Sequence, residues 1–256
     1  MKKTVLVTGA TSGIGEATAR LFAAEGCNLI ITGRRAERLK QLKKEMENEC
    51  GCEVQALCFD VRDRFQCEAA LGSLKESFRT IDILVNNAGL AAGLEHIDQG
   101  DLNDWDAMID TNVKGLLYIT RLVARGMIER GGGHIINIGS IAGTQPYENG
   151  GVYCATKHAV HALSQVMRSD FLRSGIKVTE IRPGMVETEF SEVRFHGDRD
   201  RAAAVYEGVA PLRGEDIAET IVWAASQPPH VNIDEILLTP VQQASAYLTY
   251  RRPAEK

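Results

Sequence analysis

Short apolar runs alternate with longer amphipathic stretches along most of the chain, and this alternation limits the folds open to it. The runs are rich in Val and Ile with almost no polar interruption, which is typical of strands buried on both faces of a parallel sheet. Strand–helix repetition of this kind predicts an α/β fold, a doubly wound domain with a mostly parallel seven-stranded sheet. The predicted strands are residues 5–7, 29–32, 54–59, 81–85, 134–138, 177–181 and 236–239.

The chain length suits one domain of this type, and we predict a single domain over residues 1–256. We find no internal repeat, low-complexity tract or long linker. The stretch 192–207 is rich in charged residues and has little apolar periodicity, so two interpretations stay open: a solvated helix or a mobile lid.

Composition excludes several classes of function. The formal net charge of −5 leaves no basic footprint for nucleic acid. No apolar run approaches the 18 residues of a membrane span, and the N-terminal apolar stretch is too short for a signal peptide. The six cysteines have neither zinc-ligand nor C-x-x-C spacing, so we expect free thiols, no bound metal and a reducing, cytoplasmic location.

A glycine-rich loop joins the first predicted strand to the first predicted helix, where residues 8–15 read TGATSGIG. Glycine lacks the Cβ that would keep backbone N–H groups away from a pyrophosphate, and the helix start adds its positive dipole end. Because the motif follows a strand and opens a helix, it predicts dinucleotide binding. The alternative is an ordinary strand–helix turn that contains three glycines.

Two arginines, Arg34 and Arg35, follow the second predicted strand, where enzymes that use NAD usually carry an acidic residue. A carboxylate at this place would repel the 2′-phosphate of NADP, whereas a guanidinium can bind it with two hydrogen bonds. The pair therefore favours NADP(H). The alternative is a charged first turn of a surface helix, although cations are unfavourable at a helix N-terminus.

Tyr153 and Lys157 are four residues apart, so on a helix they share a face. A phenol ordinarily titrates near pH ~10, and a nearby cation lowers its pKa by about 1–3 units. The pair therefore predicts a general acid/base for reversible hydride transfer to a carbonyl. An unrelated surface pair is the alternative, and Ser140 and the glycine loop argue against it because several roles then fit together.

Taken in order, these motifs resemble the short-chain dehydrogenase/reductase family over nearly the whole chain. The resemblance rests on the glycine loop, the run Asn86–Asn87–Ala88–Gly89, Asn112, Ser140, the Tyr153/Lys157 pair and Pro183–Gly184. It implies a Rossmann-type fold, the catalytic residues Asn112, Ser140, Tyr153 and Lys157, and a homotetramer. It implies cofactor contacts from Gly9, Thr11, Ser12, Gly13, Ile14, Gly15, Arg34, Arg35, Asp60, Val61, Asn87, Ala88, Gly89, Tyr153, Lys157, Pro183, Gly184, Val186 and Thr188.

The resemblance gives some of these residues a specific role. Ser140 would polarise the substrate carbonyl, although it could also be a helix or turn cap. Asn112 would hold a water that links Lys157 to solvent, although it could be a polar break in a helix. Asp60 would contact the adenine, although an N-cap is the alternative. Thr188 would hold the nicotinamide carboxamide.

The substrate is expected to be a small anionic alcohol or carbonyl compound, bound by Ser140, Tyr147, Tyr153 and Arg194. An arginine beside a short substrate would hold a carboxylate or sulfonate, and the alternative is a solvated arginine on a flexible segment. Residues 183–196, PGMVETEFSEVRFH, are similar to bacterial NADP-dependent 3-hydroxy acid dehydrogenases. This similarity implies oxidation of serine, allo-threonine or 3-hydroxypropionate and reduction of malonic semialdehyde.

Two other functions stay open at this stage. Sulfoacetaldehyde reductases look similar and also need a residue that binds an anion. A non-catalytic dinucleotide sensor could use the same fold, but such a protein should lack Tyr153 or Lys157, and both are present.

Overall fold

The computed structural model describes residues 2–253 and contains the predicted parallel sheet. Seven strands are hydrogen-bonded in the order β3-β2-β1-β4-β5-β6-β9, and every pair in this sheet is parallel. The α/β prediction and the seven strands are thus confirmed. The strands are β1 Thr4–Val7, β2 Asn28–Gly33, β3 Val54–Cys58, β4 Ile83–Asn86, β5 Gly133–Ile138, β6 Ile176–Pro183, β7 Val186–Glu187, β8 Leu212–Arg213 and β9 Glu235–Leu238.

The central strands are buried on both faces, as their unbroken apolar sequence predicts. Val5 and Val7 of β1 pack into one hydrophobic core, and Leu6 between them packs into the other. Complete burial of an aliphatic side chain of this size contributes about 1.5–3 kcal/mol. The strand order reverses between β1 and β4, and in a doubly wound sheet ligands bind at the carboxyl ends of the strands beside that reversal.

Helices cover both faces of the sheet. One layer contains α1, α2 and α9, which share a core with the odd residues of β1, and the other contains α3, α5 and α6. None of the described helices is both long and apolar enough to cross a membrane. The helices are α1 Gly13–Ala24, α2 Ala36–Cys50, α3 Arg64–Gly72, α4 Leu102–Ile109, α5 Leu116–Arg130, α6 Gly151–Asp170, α7 Phe190–Arg194, α8 Arg199–Ala204 and α9 Gly214–Ser226, with short 3-10 turns at Glu76–Phe78, Ile141–Gly143 and Leu172–Ser174.

A π-helical turn, Asp110–Gly115, joins α4 to α5. The three elements follow one another without a gap from Leu102 to Arg130. Such turns insert an extra residue into a helix and are frequent at functional sites. The turn contains Asn112, which sequence analysis interpreted as either a functional residue or a polar break in a helix.

The stretch 192–207 is neither a single helix nor structureless. It contains most of α7 and the whole of α8, and both are short. Phe195 and Ala202 are buried and anchor this stretch to the body of the protein. All six cysteines lie within the described residues, and all six are free thiols.

Candidate active site

A cleft lies at the carboxyl ends of the central strands, beside the reversal in strand order. It brings together 18 of the 19 residues for which we predicted cofactor contacts, Gly15 being the exception, and also Ser140. Asn112, Tyr147 and Arg194 are not among its lining residues, but Asn112 contacts Leu90 and Arg194 contacts Phe190, and both of these line it. Sequence analysis missed the lining residues Gly33, Phe59, Leu90, Thr111, Ile138, Gly139, Glu189, Phe190 and Val193.

The glycine loop depends on glycine at two kinds of position. Gly9 and Gly13 have φ angles of +66° and +52°, a region that other residues rarely adopt. Gly15 is required for a steric reason instead, because an added Cβ would lie 2.3 Å from both Asn87 Nδ2 and Gly9 O. These glycines let the loop pack closely on Asn87 while Gly9 and Gly13 line the cleft.

The run after β4 holds this loop in place. Asn87 Nδ2 donates to the carbonyl oxygens of Thr8 and Gly9, at 2.9 and 3.1 Å. The backbone N–H groups of Asn87 and Ala88 donate to Thr8 Oγ1, both at 3.0 Å. The side chain of Asn87 therefore holds the loop in place, and Asn87, Ala88 and Gly89 all line the cleft.

The N-terminus of α1 faces the same cleft and suits an anion. Ser12 is the N-cap residue, and among the described residues its side chain makes no capping hydrogen bond to the helix. The first N–H groups of a helix have no partner within the helix, and they carry its positive dipole end. Glycine positions that admit no Cβ and an uncapped helix start fit the pyrophosphate of a dinucleotide.

The arginines after β2 converge on one carboxylate. Arg35 Nη1 and Arg38 Nη1 each lie 2.6 Å from a carboxylate oxygen of Glu189. Arg35 also donates to the hydroxyls of Thr11 and Ser12 in the glycine loop. Arg38 is absent from the sequence-based prediction, although its spacing of three from Arg35 at a helix start places both on one face.

Arg34 has a different environment. Its side chain is mostly exposed and lies 3.9 Å from Asp60, which Arg62 also contacts at 2.7 Å. Asp63, and not Asp60, is the N-cap of α3, because its carboxylate accepts from the N–H groups of Phe65 and Gln66. Asp60 is therefore not the helix cap, and it lines the cleft.

Tyr153, Ser140 and Lys157 meet between β5 and the first two turns of α6. Lys157 Nζ lies 5.9 Å from the centre of the Tyr153 ring and donates to the carbonyl oxygen of Ile138 at 2.8 Å. The Ser140 hydroxyl is close enough to the phenol of Tyr153 to act on its pKa, which it lowers. The Ser140 hydroxyl also accepts from Ala142 N–H at 3.1 Å, so the serine is a turn cap as well.

The pKa of Tyr153 is raised in this structure, although sequence analysis expected a nearby cation to lower it. Burial is the largest influence and raises the pKa of the phenol to about 12, while the Arg194 guanidinium and the Ser140 hydroxyl act to lower it. Lys157 is itself buried, and loss of solvation lowers its pKa to about 8, partly offset by the charge of Glu180. The cation nearest the phenol ring is Arg194, 5.0 Å from its centre.

Asn112 contacts the backbone beside the cleft. Its Nδ2 donates to Leu90 O at 2.8 Å, and its Oδ1 accepts from Leu90 N–H at 2.9 Å. Nδ2 also donates to the hydroxyl of Thr156, the neighbour of Lys157, at 3.0 Å. The π-helical turn therefore holds the backbone that follows β4 against α6.

Arg194 lies against three aromatic rings at the end of α7. Its guanidinium is 5.0 Å from the ring centre of Tyr153, 5.3 Å from Phe190 and 6.0 Å from Tyr147. Nη2 donates to the Tyr147 hydroxyl at 2.8 Å, whereas the buried Nε has no partner among the described residues. An anion beside Tyr153 would supply the acceptor that this N–H lacks.

Thr188 and the residues that follow it line the part of the cleft beside Tyr153. A Cβ at Gly13 would lie 2.9 Å from Thr188 Cγ2, so this segment packs directly on the glycine loop. Phe190 packs edge-on against Tyr153 with ring centres 5.7 Å apart. The apolar residues of the motif ETEFSEV, one helical turn apart at Phe190 and Val193, were the available signal for this wall.

Comparison with known proteins places this site in a family. A family model described as short chain dehydrogenase matches residues 3–198. The chain is 50% identical over 249 residues to an NADP-dependent 3-hydroxy acid dehydrogenase of Salmonella typhi, covering 97% of this chain and 99% of that protein. It is 46% identical over 252 residues to a serine 3-dehydrogenase of Agrobacterium fabrum, covering 98% and 99%.

Solved structures give the same grouping. The closed form of a serine dehydrogenase complexed with NADP+ matches with a TM-score of 0.91 and 47% identity, covering 98% of this chain and all of that one. A serine dehydrogenase from Escherichia coli matches with a TM-score of 0.80 and 43% identity, covering 94% and 99%.

Proposed function

Because the chain belongs to the short chain dehydrogenase family and is an oxidoreductase, we propose that it acts with NADP(H) on the hydroxyl or carbonyl group of a small 3-hydroxy acid. Serine, allo-threonine and 3-hydroxypropionate are the substrates we expect. When bound, NADP(H) accepts or supplies the hydride at the carbon that carries the oxygen.

Tyr153 is the residue to which we assign the proton. During oxidation it takes the proton of the substrate hydroxyl, and during reduction it returns that proton to the carbonyl oxygen. To Ser140, which lines the same cleft, we assign a hydrogen bond to the same oxygen that stabilises developing negative charge. Because burial raises the pKa of Tyr153 to about 12, its ionisation needs nearby positive charge, and Lys157 and Arg194 are the adjacent cations.

The environment of Arg194 is the observation that supports a substrate with an anionic group. A guanidinium stands over the ring of the proposed acid/base and keeps a buried N–H without a partner among the described residues. A carboxylate two bonds from the reacting carbon of a 3-hydroxy acid is the kind of group that would accept this hydrogen bond. A sulfonate has similar acceptors, so isethionate/sulfoacetaldehyde is the second candidate pair.

The NADP(H) assignment rests on the chemistry after β2. Arg34 and Arg35 line the cleft where an acidic residue would favour NAD, and Arg38 adds a third guanidinium beside them. The relatives named above include an NADP-dependent enzyme and a complex with NADP+.

A steady-state substrate panel tests this proposal. L-serine, L-allo-threonine, 3-hydroxypropionate and isethionate are compared as substrates, each with NADP+ and with NAD+. We expect a higher kcat/KM for the 3-hydroxy acids than for isethionate, and a higher one with NADP+ than with NAD+. A preference for isethionate would select the second candidate, and equal use of NAD+ would contradict the cofactor assignment.

A further inference from the structure

Glu189 places a carboxylate between two of the arginines that follow β2. Its Oε2 lies 2.6 Å from Arg35 Nη1, and its Oε1 lies 2.6 Å from Arg38 Nη1. Each carboxylate oxygen thus accepts from a different guanidinium. The desolvation that raises the pKa of Glu189 is outweighed by its hydrogen bonds to Arg35 and Arg38, which lower the pKa, so the group is an anion at neutral pH.

The same guanidiniums are anchored to the glycine loop. Arg35 Nε and Nη2 donate to Thr11 Oγ1 at 3.0 and 2.8 Å, and Nη2 donates to Ser12 Oγ at 2.7 Å. Arg38 Nη1 donates to the carbonyl oxygen of Thr11 at 3.3 Å. Two guanidiniums fixed beside a dinucleotide loop form an anion site, and a phosphate monoester makes the same kind of charge-assisted bonds as a carboxylate.

Resting on the proposed use of NADP(H), we infer that Glu189 is a specificity-determining residue that competes with the cofactor 2′-phosphate for Arg35 and Arg38. A carboxylate and a phosphate in contact with the same two guanidiniums repel each other, so the phosphate must displace Glu189. A cofactor without the 2′-phosphate lacks the group that can do this. NADP(H) therefore releases Glu189 from the arginines, and NAD(H) leaves the contact in place.

Glu189 also stands at the start of the helix that carries Arg194. Glu189 is the N-cap residue of α7, and its carbonyl oxygen accepts from Val193 N–H at 3.0 Å. The same helix carries Phe190 and Arg194 against Tyr153. Displacement of the Glu189 side chain thus acts on the element that positions the proposed anion-binding arginine, which links the identity of the cofactor to the substrate pocket.

Binding of two adenosine fragments to the full chain tests this inference. Adenosine 2′,5′-bisphosphate carries the 2′-phosphate, whereas adenosine 5′-monophosphate lacks it, and calorimetry gives both dissociation constants at low salt. In Glu189→Gln the competing charge is removed, so we expect adenosine 2′,5′-bisphosphate to bind about fivefold more tightly, as for release of one partly exposed ion pair. Binding of adenosine 5′-monophosphate should stay within about twofold.

Glu192→Gln is the matched control, because Glu192 lies in the same helix and contacts Arg199 at 3.3 Å instead. It should leave both dissociation constants unchanged. In an Arg38→Gln background, Glu189→Gln should gain less, because one of the two contested guanidiniums is gone.

Unchanged or weaker binding of adenosine 2′,5′-bisphosphate in Glu189→Gln would overturn the inference. That result leaves the proposed function intact as long as the unaltered chain prefers the bisphosphate to the monophosphate. A lack of this preference in the unaltered chain contradicts the NADP(H) assignment itself, so the two failures are distinguishable.

Discussion

The two ends of the cleft are built in different ways. At the dinucleotide end, the loop between β1 and α1 is held by backbone conformation and by hydrogen bonds to backbone atoms, as at Gly9 and Gly15. At the proposed substrate end, residues 186–213 form two-residue strands and helices of five and six residues, and side chains such as Arg194 reach the ring of Tyr153.

This difference determines how well each end can be recognised from its sequence and how far it tolerates substitutions. A backbone-built loop needs particular residues at fixed spacing, so its sequence is a recognisable motif and tolerates little change. A wall built from side chains on short elements can change its residues while the main chain keeps its path. We therefore expect the first region to determine how the cofactor binds and the second to determine the substrate class.

The largest expected effect is at Tyr153, where the two regions meet. In Tyr153→Phe the proton donor and acceptor is lost while the ring keeps its packing against Phe190, so we expect kcat to fall about 10³-fold, within the usual range for a general acid/base. Cofactor binding, measured by quenching of protein fluorescence, should be retained. Tyr118→Phe on α5 is the control, and near-normal turnover of Tyr153→Phe would remove the tyrosine from the chemistry.

At the dinucleotide end, Gly15→Ala tests whether the backbone is the sensitive component. The added Cβ would lie 2.3 Å from Gly9 O and from Asn87 Nδ2, so the loop must shift. We expect a loss of about 1–3 kcal/mol in the free energy of unfolding, as for other overpacked sites. We also expect weaker binding of NADP+, seen as a larger dissociation constant.

Gly72→Ala at the end of α3 is the matched control for this change, because beyond its chain neighbours and the backbone of its own helix no atom of the described residues lies within 4 Å of the added Cβ. Thermal unfolding and cofactor titration of both variants measure the difference. Equal stability of the two variants would contradict the view that the loop tolerates no added atom.

At the substrate end, Arg194→Ala should change selectivity while leaving the fold intact. Loss of the guanidinium removes the proposed carboxylate contact, so we expect KM for 3-hydroxypropionate to rise about tenfold, the factor that corresponds to about 1.4 kcal/mol. KM for its neutral methyl ester should change far less. Arg201→Ala is the control on the same segment, since that arginine contacts Phe195 instead, and equal effects on acid and ester would place Arg194 outside the pocket.

The sequence predicts the sheet and most of the cleft because both depend on local patterns. Unbroken apolar runs identify the buried strands, and short motifs identify the loop and the tyrosine–lysine pair. The contacts it does not predict join distant segments: Glu189 meets Arg35 and Arg38 across roughly 150 residues of chain. Likewise, the pKa of Tyr153 depends on burial and on Arg194, and neither follows from the spacing to Lys157.

The smallest expected effect concerns Lys157, which lies beneath the tyrosine. Burial lowers its pKa from the ordinary 10.5 to about 8, so between these values the unfolded chain holds a proton that the folded chain has lost. The free energy of unfolding of the natural chain should therefore rise with pH relative to Lys157→Met, by about 1 kcal/mol between pH 8 and pH 9.5. Urea unfolding measures it at both pH values. Lys44→Met removes an exposed lysine of α2 and should show no such trend. If the free energies of unfolding of Lys157→Met and of the natural chain changed in parallel with pH, the pKa of the buried Lys157 would be ordinary. Lys157 would then stay a charged neighbour of Tyr153 throughout this pH range.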